Sequence, residues 1–223
     1  MNPDAIIFDS DGVLVDSEKI HIAVERELLS ELGLDYERAE YASRFVGLNL
    51  SDFHAALERD FRAKFNQPFP TDFGARLYQR VWPRIQAELE PVPDVTAILE
   101  VHAGPSAVAS SAPKDRLREK LAITDLLGHF DPHIYSADLV NNGKPAPDLF
   151  LFAAQKLGVA PSACLVIEDS LHGIAAARAA GMSAIGFAGG GHADHGLATR
   201  LKAAGAHYVA TNHLEIAQLL QLD

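Results

Sequence analysis

Ala5-Ile6-Ile7-Phe8-Asp9-Ser10-Asp11-Gly12 decides how this chain is read. Four apolar residues with β-branching at two of them, closed by a polar Asp-Ser-Asp-Gly turn, predict a buried parallel strand that ends in a loop. Downstream of residue 93 the same grammar repeats. Strands are expected at 106–109, 133–135, 164–167, 184–187 and 208–210, with helices at 113–122, 147–157 and 171–180 and after the last two strands. Strands alternating with helices imply a parallel sheet covered on both faces. Between residues 17 and 90 nothing resembles a strand. Apolar residues there recur at helical spacing (Ile20, Ala23, Val24, Leu28; Phe53, Leu57, Phe61, Phe65). Breaks at Gly33, Gly47, Pro68-Phe69-Pro70 and Pro91-Val92-Pro93 divide the stretch into about four helices. The expected organisation is an α/β, Rossmann-like core from residues 1–16 and 91–223, helices on both faces, with an all-helical cap inserted at 17–90.

Bulk properties limit the partners. At 223 residues, 48% hydrophobic and 22% charged, the chain has the balance of an ordinary globular protein. Its net charge of −11 comes with no stripe of Lys and Arg, so nucleic acid is not expected as a partner. No stretch nears the roughly 18 consecutive apolar residues of a membrane helix. The start, Met-Asn-Pro-Asp, lacks the basic region of a secretory signal, and Cys164 is alone, so a reducing cytoplasm is the expected compartment. Oligomeric state is not legible.

In open α/β sheets, ligands bind outside the carboxyl ends of the strands. Four of the expected strand ends carry chemistry: Asp9-Ser10-Asp11-Gly12, Ser110-Ser111, Gly143-Lys144-Pro145 and Glu168-Asp169-Ser170. Each alone also suits a plain turn or helix cap. Together they bring two or three carboxylates, one lysine and one hydroxyl to a point. Carboxylates that close repel unless a cation joins them, and an all-oxygen donor set favours Mg²⁺.

These segments, Phe8-Asp9-Ser10-Asp11-Gly12-Val13-Leu14-Val15-Asp16-Ser17-Glu18, Ala109-Ser110-Ser111, Gly143-Lys144-Pro145-Ala146-Pro147-Asp148 and Val166-Ile167-Glu168-Asp169-Ser170, resemble the haloacid-dehalogenase-like hydrolase superfamily, in its β-phosphoglucomutase and sugar-phosphate phosphatase branch. The resemblance covers the core; the helical insertion matches in position and type more than in sequence. It implies a Mg²⁺-dependent phosphatase of a small phosphorylated metabolite, working through an aspartyl-phosphate on Asp9. Asp11 would be the general acid/base, with its backbone carbonyl on the metal. Ser110 and Lys144 would hold the transferring phosphoryl group, with Ser111 beside them, and Asp9, Asp169 and Glu168 would complete the metal set. In the cap, His21, Gly47 and Asn49 are the candidates for touching substrate.

The resemblance leaves two other chemistries to weigh. A sugar-phosphate mutase would have an arginine where this chain has Leu50, which cannot hold a distal phosphate, although Arg44 is nearby. A haloacid dehalogenase needs neither metal nor a second acid two positions on, so Asp11 speaks against it. A binding module that had lost its chemistry should lack one of Asp9, Asp11, Lys144 or Asp169, and none is missing. Gly189-Gly190-Gly191-His192-Ala193-Asp194-His195-Gly196 fails as a dinucleotide loop, because Asp194 stands at the third glycine, and is read as a flexible loop rather than a second metal site. Cys164 is read as a small buried hydrophobe, and Trp82 as packing between cap helices.

Overall fold

The strand β1 (Ala5–Phe8) is buried along its whole length, as a strand covered on both faces must be. The computed structural model describes residues 2–45, 48 and 50–221. Among these, β1 joins β2 (Ser106–Ser110), β3 (Ile134–Ser136), β4 (Cys164–Glu168), β5 (Ser183–Phe187) and β6 (Tyr208–Ala210) in one parallel sheet of order β3-β2-β1-β4-β5-β6. The helices are α1 (Ser17–Glu31), α2 (Arg38–Phe45), α3 (Leu50–Phe65), α4 (Phe73–Glu88), α5 (Val95–Val101), α6 (Lys114–Ile123), α7 (Leu127–Phe130), α8 (Asp148–Leu157), α9 (Leu171–Ala179), α10 (Leu197–Ala203) and α11 (His213–Gln221).

Strand order runs outward from β1 to β3, then jumps back past β1 to β4 and runs outward the other way. The switch point between β1 and β4 opens a crevice at their carboxyl ends. Register fixes what lines it. Phe8 pairs with Val108 on one side and Ile167 on the other, so Asp9 leaves the sheet between the ends of β2 and β4. One face of the sheet buries Ala5, Ile7, Ala107 and Val166 against Leu149 and Phe150 of α8, Ile174 of α9 and Leu201 of α10. On the other face, Phe8 meets Phe130 of α7 edge-on with centroids 5.4 Å apart, and Phe187 stacks on His213 of α11. Cys164 is buried in β4, as the sequence suggests.

Two short helices escape the sequence reading. α5 and α7 have seven and four residues, too few to show a period; α5 is held by buried Val95 and Ile98 and packs on α11. Elsewhere the boundaries shift by a residue, with Ser110 inside β2 and His133 outside β3.

By clustering of contacts the chain forms two compact units, Met1–Ser17 with Leu89–Asp223, and Glu18–Glu88. In the first unit, the two segments leading to the second run side by side: Val92 N–H donates to Leu14 O at 2.9 Å, and Asp16 N–H to Glu90 O at 3.1 Å. The second unit is helical, α1 to α4, and has its own apolar centre of Leu28, Leu57, Phe61, Phe73 and Ile85. Phe69, between α3 and α4, contacts Phe61 and Phe73 with ring centroids 5.6 and 5.1 Å away. Arg76 and Arg80 of α4 pair with Glu31 of α1, and Arg84 pairs with Glu27. Such exposed pairs orient the helices more than they stabilise them. Trp82 is half-buried on α4.

One carboxylate in this unit is out of place energetically. Glu25 accepts from the buried Tyr41 hydroxyl at 2.5 Å. Burial, with Glu18 adding to it, pushes Glu25 from 4.5 up to about 7, against the pull of that hydrogen bond. A raised carboxyl favours folding in its protonated form. That contribution is intact below about pH 4.5 and is lost as pH rises through 7. Glu25→Gln keeps the shape and the acceptor for Tyr41 without the charge. It should raise Tm at pH 8 by about 5 °C and change it little at pH 4.5. Thermal melts of both proteins at the two pH values decide it; equal shifts at both would refute the assignment.

Candidate active site

Each strand end at the crevice delivers its polar residue because the strand before it is apolar and pinned. Asp9 follows β1, Ser110 ends β2, and Glu168 ends β4. Lys144 comes from the loop after β3, with its side chain 5% exposed and its ammonium 5.0 Å from the centre of the Phe150 ring. Its Nζ donates to Asp9 Oδ1 at 2.5 Å and to Glu168 Oε2 at 2.6 Å. Glu168 Oε1 in turn accepts from the Ser170 amide at 3.0 Å and its hydroxyl at 2.8 Å. The lysine is thus shared by two buried carboxylates, and the outer one is tied to the helix cap of α9.

One lysine does not satisfy the group. Asp9, Glu168 and Asp169 are all buried and offer oxygens within 4.8 Å of one another. Burial, then the Glu168 charge, push Asp9 up to about 7, with Lys144 pulling the other way. Burial, Glu168 and Asp9 likewise push Asp169 well above the usual carboxylate range. Burial opposes the charge on Lys144, but Asp9 and Glu168 more than offset it and hold the ammonium above the ordinary lysine range. Gly12 closes this end of the crevice at φ +79°, where a Cβ would lie 1.8 Å from Asp169 Oδ2. Only glycine fits there, on both counts.

Asp11 is held differently. Its Oδ1 accepts from the Ser17 hydroxyl and from Lys120 Nζ of α6. Lys120 is 8% exposed, a buried cation that sequence reasoning missed. Its position on a helix with mixed polarity gave no signal, because its partner lies 109 residues away. Ser110 is buried, and its Oγ accepts from the Ala112 amide at 3.1 Å; Ser111 is exposed.

A second residue was misread. His192 does not hang in a free loop: its ring is 13% exposed, and Nε2 lies 3.3 Å from Asp169 Oδ2. Its neighbour His195 is exposed. Among the described residues, neither belongs to a group that could hold a metal; the one such group is the three carboxylates. His21 lies on α1 in the helical unit, partly exposed. Gly47 and Asn49 lie outside the described residues.

The site has the elements of an acid-assisted displacement: a buried carboxylate flanked by a cation, a second acid two residues on, and an acidic pocket beside them. Residues 3–181 match the haloacid dehalogenase-like hydrolase family, and the chain belongs to it. The fructose-1-phosphate phosphatase YqaB of Escherichia coli is 32% identical over 180 residues, spanning 81% of this chain and 94% of the relative. Hexitol phosphatase B of the same organism is 31% identical, over 81% and 82% of the two chains. A family hydrolase from Deinococcus radiodurans, solved with bound phosphate and sodium, superposes with a TM-score of 0.83 at 35% identity, covering 98% of this chain and 95% of that one. Within the family, the chain is an enzyme of the phosphoric monoester hydrolase class. No described helix is long and apolar enough to cross a membrane.

Removing the shared lysine should expose the strain it relieves. In metal-free buffer at pH 8, Lys144→Met leaves Asp9 and Glu168 buried without their counter-charge and should cost about 3 kcal/mol of unfolding free energy. The loss should shrink at pH 5, because Asp9, already at about 7, takes up a proton. Urea titrations at both pH values measure it, and a loss independent of pH would mean that packing, not charge, is what Lys144 supplies.

Proposed function

We propose that the enzyme hydrolyses the phosphate ester of a small sugar or related acid by way of an aspartyl-phosphate on Asp9, with Mg²⁺ bound. The observation that carries this reading is the group of Asp9, Glu168 and Asp169 with Lys144 inserted between two of them. The phosphatases among its relatives, which act on phosphorylated sugars by name, support the substrate class.

The donor set suits a small hard cation. Three buried carboxylates face one lysine, two of the three are displaced far from their usual range, and all donors are oxygen. Asp9, Asp169 and the Asp11 carbonyl would hold the ion, with Glu168 as a further direct or water-mediated ligand. Bound there, Mg²⁺ would neutralise charge on the phosphoryl oxygens and favour ionised Asp9.

The chain's own groups do the rest. An Asp9 carboxylate oxygen attacks phosphorus, and the bond from phosphorus to the sugar oxygen breaks. Asp11, protonated at that moment, gives its proton to the departing oxygen. The same Asp11 then takes a proton from water as that water attacks phosphorus, the Asp9–phosphorus bond breaks, and inorganic phosphate leaves. Lys144 and Ser110 keep the phosphoryl group in line, which is most of what phosphoryl transfer asks of a protein. Two groups that hold Asp11, Ser17 and Lys120, set where its carboxyl waits. We assign choice of the leaving group to the helical unit, with His21, Gly47 and Asn49 as its sequence candidates.

Turnover of a panel of sugar phosphates and phosphorylated sugar acids should require Mg²⁺, stop with chelator, and return with Mg²⁺ but poorly with Ca²⁺, whose larger size misplaces the nucleophile. Asp9→Asn should abolish turnover and the acid-quenched phosphoprotein seen by mass spectrometry. Asp11→Asn should keep metal binding and lose about 10²–10⁴-fold in rate. Full activity in chelator, or near-normal turnover by Asp9→Asn, would overturn the mechanism.

A further inference from the structure

We propose that His192 is a positioning residue for the metal site: its Nε2–H holds Oδ2 of Asp169, so that the other carboxylate oxygen is presented to the ion. The inference rests on the metal reading above and adds a residue from outside the four strand-end motifs.

Four observations carry it. First, Nε2 is 3.3 Å from Asp169 Oδ2 in a setting where both side chains are nearly closed to water, 13% and 9% exposed. Carboxylates that bind metals are themselves commonly fixed by an outer hydrogen-bond donor. Second, the histidine is not a ligand in its own right, because the set of oxygens within mutual reach is Asp9, Glu168 and Asp169 without it. Third, the loop is built to bring the ring there. At Gly190 a Cβ would lie 2.7 Å from the Gly12 carbonyl and 2.9 Å from His192 Cε1, so any side chain would part the loop from the Asp9–Gly12 turn. The next residue ties the loop down, with Gly191 N–H donating to Asp16 Oδ1 at 3.1 Å. Fourth, His192 Nδ1 is buried without a hydrogen-bond partner. Nε2, facing Asp169, is therefore the ring nitrogen with an acceptor in reach. With its proton on Nε2, the ring would donate to Asp169 Oδ2, 3.3 Å away.

The test is direct metal binding. Mn²⁺, read by loss of its free electron paramagnetic resonance signal and competed by Mg²⁺, is titrated into wild type, His192→Ala, His192→Gln and His195→Ala. Gln places its amide nitrogen where the imidazole has Nε2. His192→Ala should bind Mn²⁺ about 10–100-fold more weakly, His192→Gln should recover most of that loss, and His195→Ala should match wild type. Thermal melts check that each variant is folded; if the alanine variant is not, the glutamine variant alone must still outbind Asp169→Asn. Wild-type affinity in His192→Ala, or glutamine no better than alanine, would overturn the inference while leaving the metal reading intact. A wild type that binds no Mn²⁺ at all would overturn both.

Discussion

Everything at the crevice depends on a charge imbalance that the fold itself creates. Three buried carboxyl groups, Asp9, Glu168 and Asp169, are brought within 4.8 Å of one another at the carboxyl ends of β1 and β4, with Asp11 two residues beyond Asp9. Two lysines answer them, Lys144 between Asp9 and Glu168, and Lys120 on Asp11. That division matters. Asp9 and Asp11 sit two residues apart, yet each has its own cation, Lys144 for one and Lys120 for the other. Asp169, which neither lysine contacts directly, is pushed well above the usual carboxylate range by burial, Glu168 and Asp9.

The stability of the core does not come from this cluster. It comes from strands buried on both faces, Ile6, Ile7, Val108 and Val166 among them, and the cluster costs part of what they provide. An active site of buried like charges persists only because the surrounding sheet over-determines its shape. Gly12 shows how tight the fit is: its missing side chain leaves the space that Asp169 Oδ2 occupies. The same logic extends to Gly190, where backbone meets backbone so that an imidazole can reach a carboxylate.

What the sequence made legible was whatever is local. The strand 5–8, the alternation after residue 93, the helical block before it and the four polar strand ends all follow from residues within a few positions of one another. What it hid was set by distance or by brevity. α5 and α7 are too short to carry a period and exist because Ile98 and Phe130 have somewhere to be buried. Lys120 carries no signal of its own on a helix of mixed polarity, and His192 reads as part of a flexible glycine loop. Each is defined by a partner far along the chain, Asp11 and Asp169, that no local pattern names. Composition could have offered one hint: three consecutive glycines in a loop are as much a sign of close backbone approach as of flexibility.

The residue that the sequence left unmarked, Lys120, and His192 belong to one arrangement. Lys144, Lys120 and His192 come from three different loops or helices, after β3, on α6 and after β5, and each meets a different carboxylate of the pocket. The ends of β1 and β4 therefore supply the acids, while one lysine of a strand-end motif, Lys144, and two residues from outside the motifs, Lys120 and His192, contact them. This separates two kinds of constraint. In the proposed mechanism, the acids of the pocket are fixed in type by the attack, metal binding and proton transfer assigned to them. A holding group needs only a donor of the right reach at the right spot. Lys144 could be read from its motif because it lies in a loop just after β3, whereas Lys120 and His192, whose partners Asp11 and Asp169 lie far along the chain, had to be found in space.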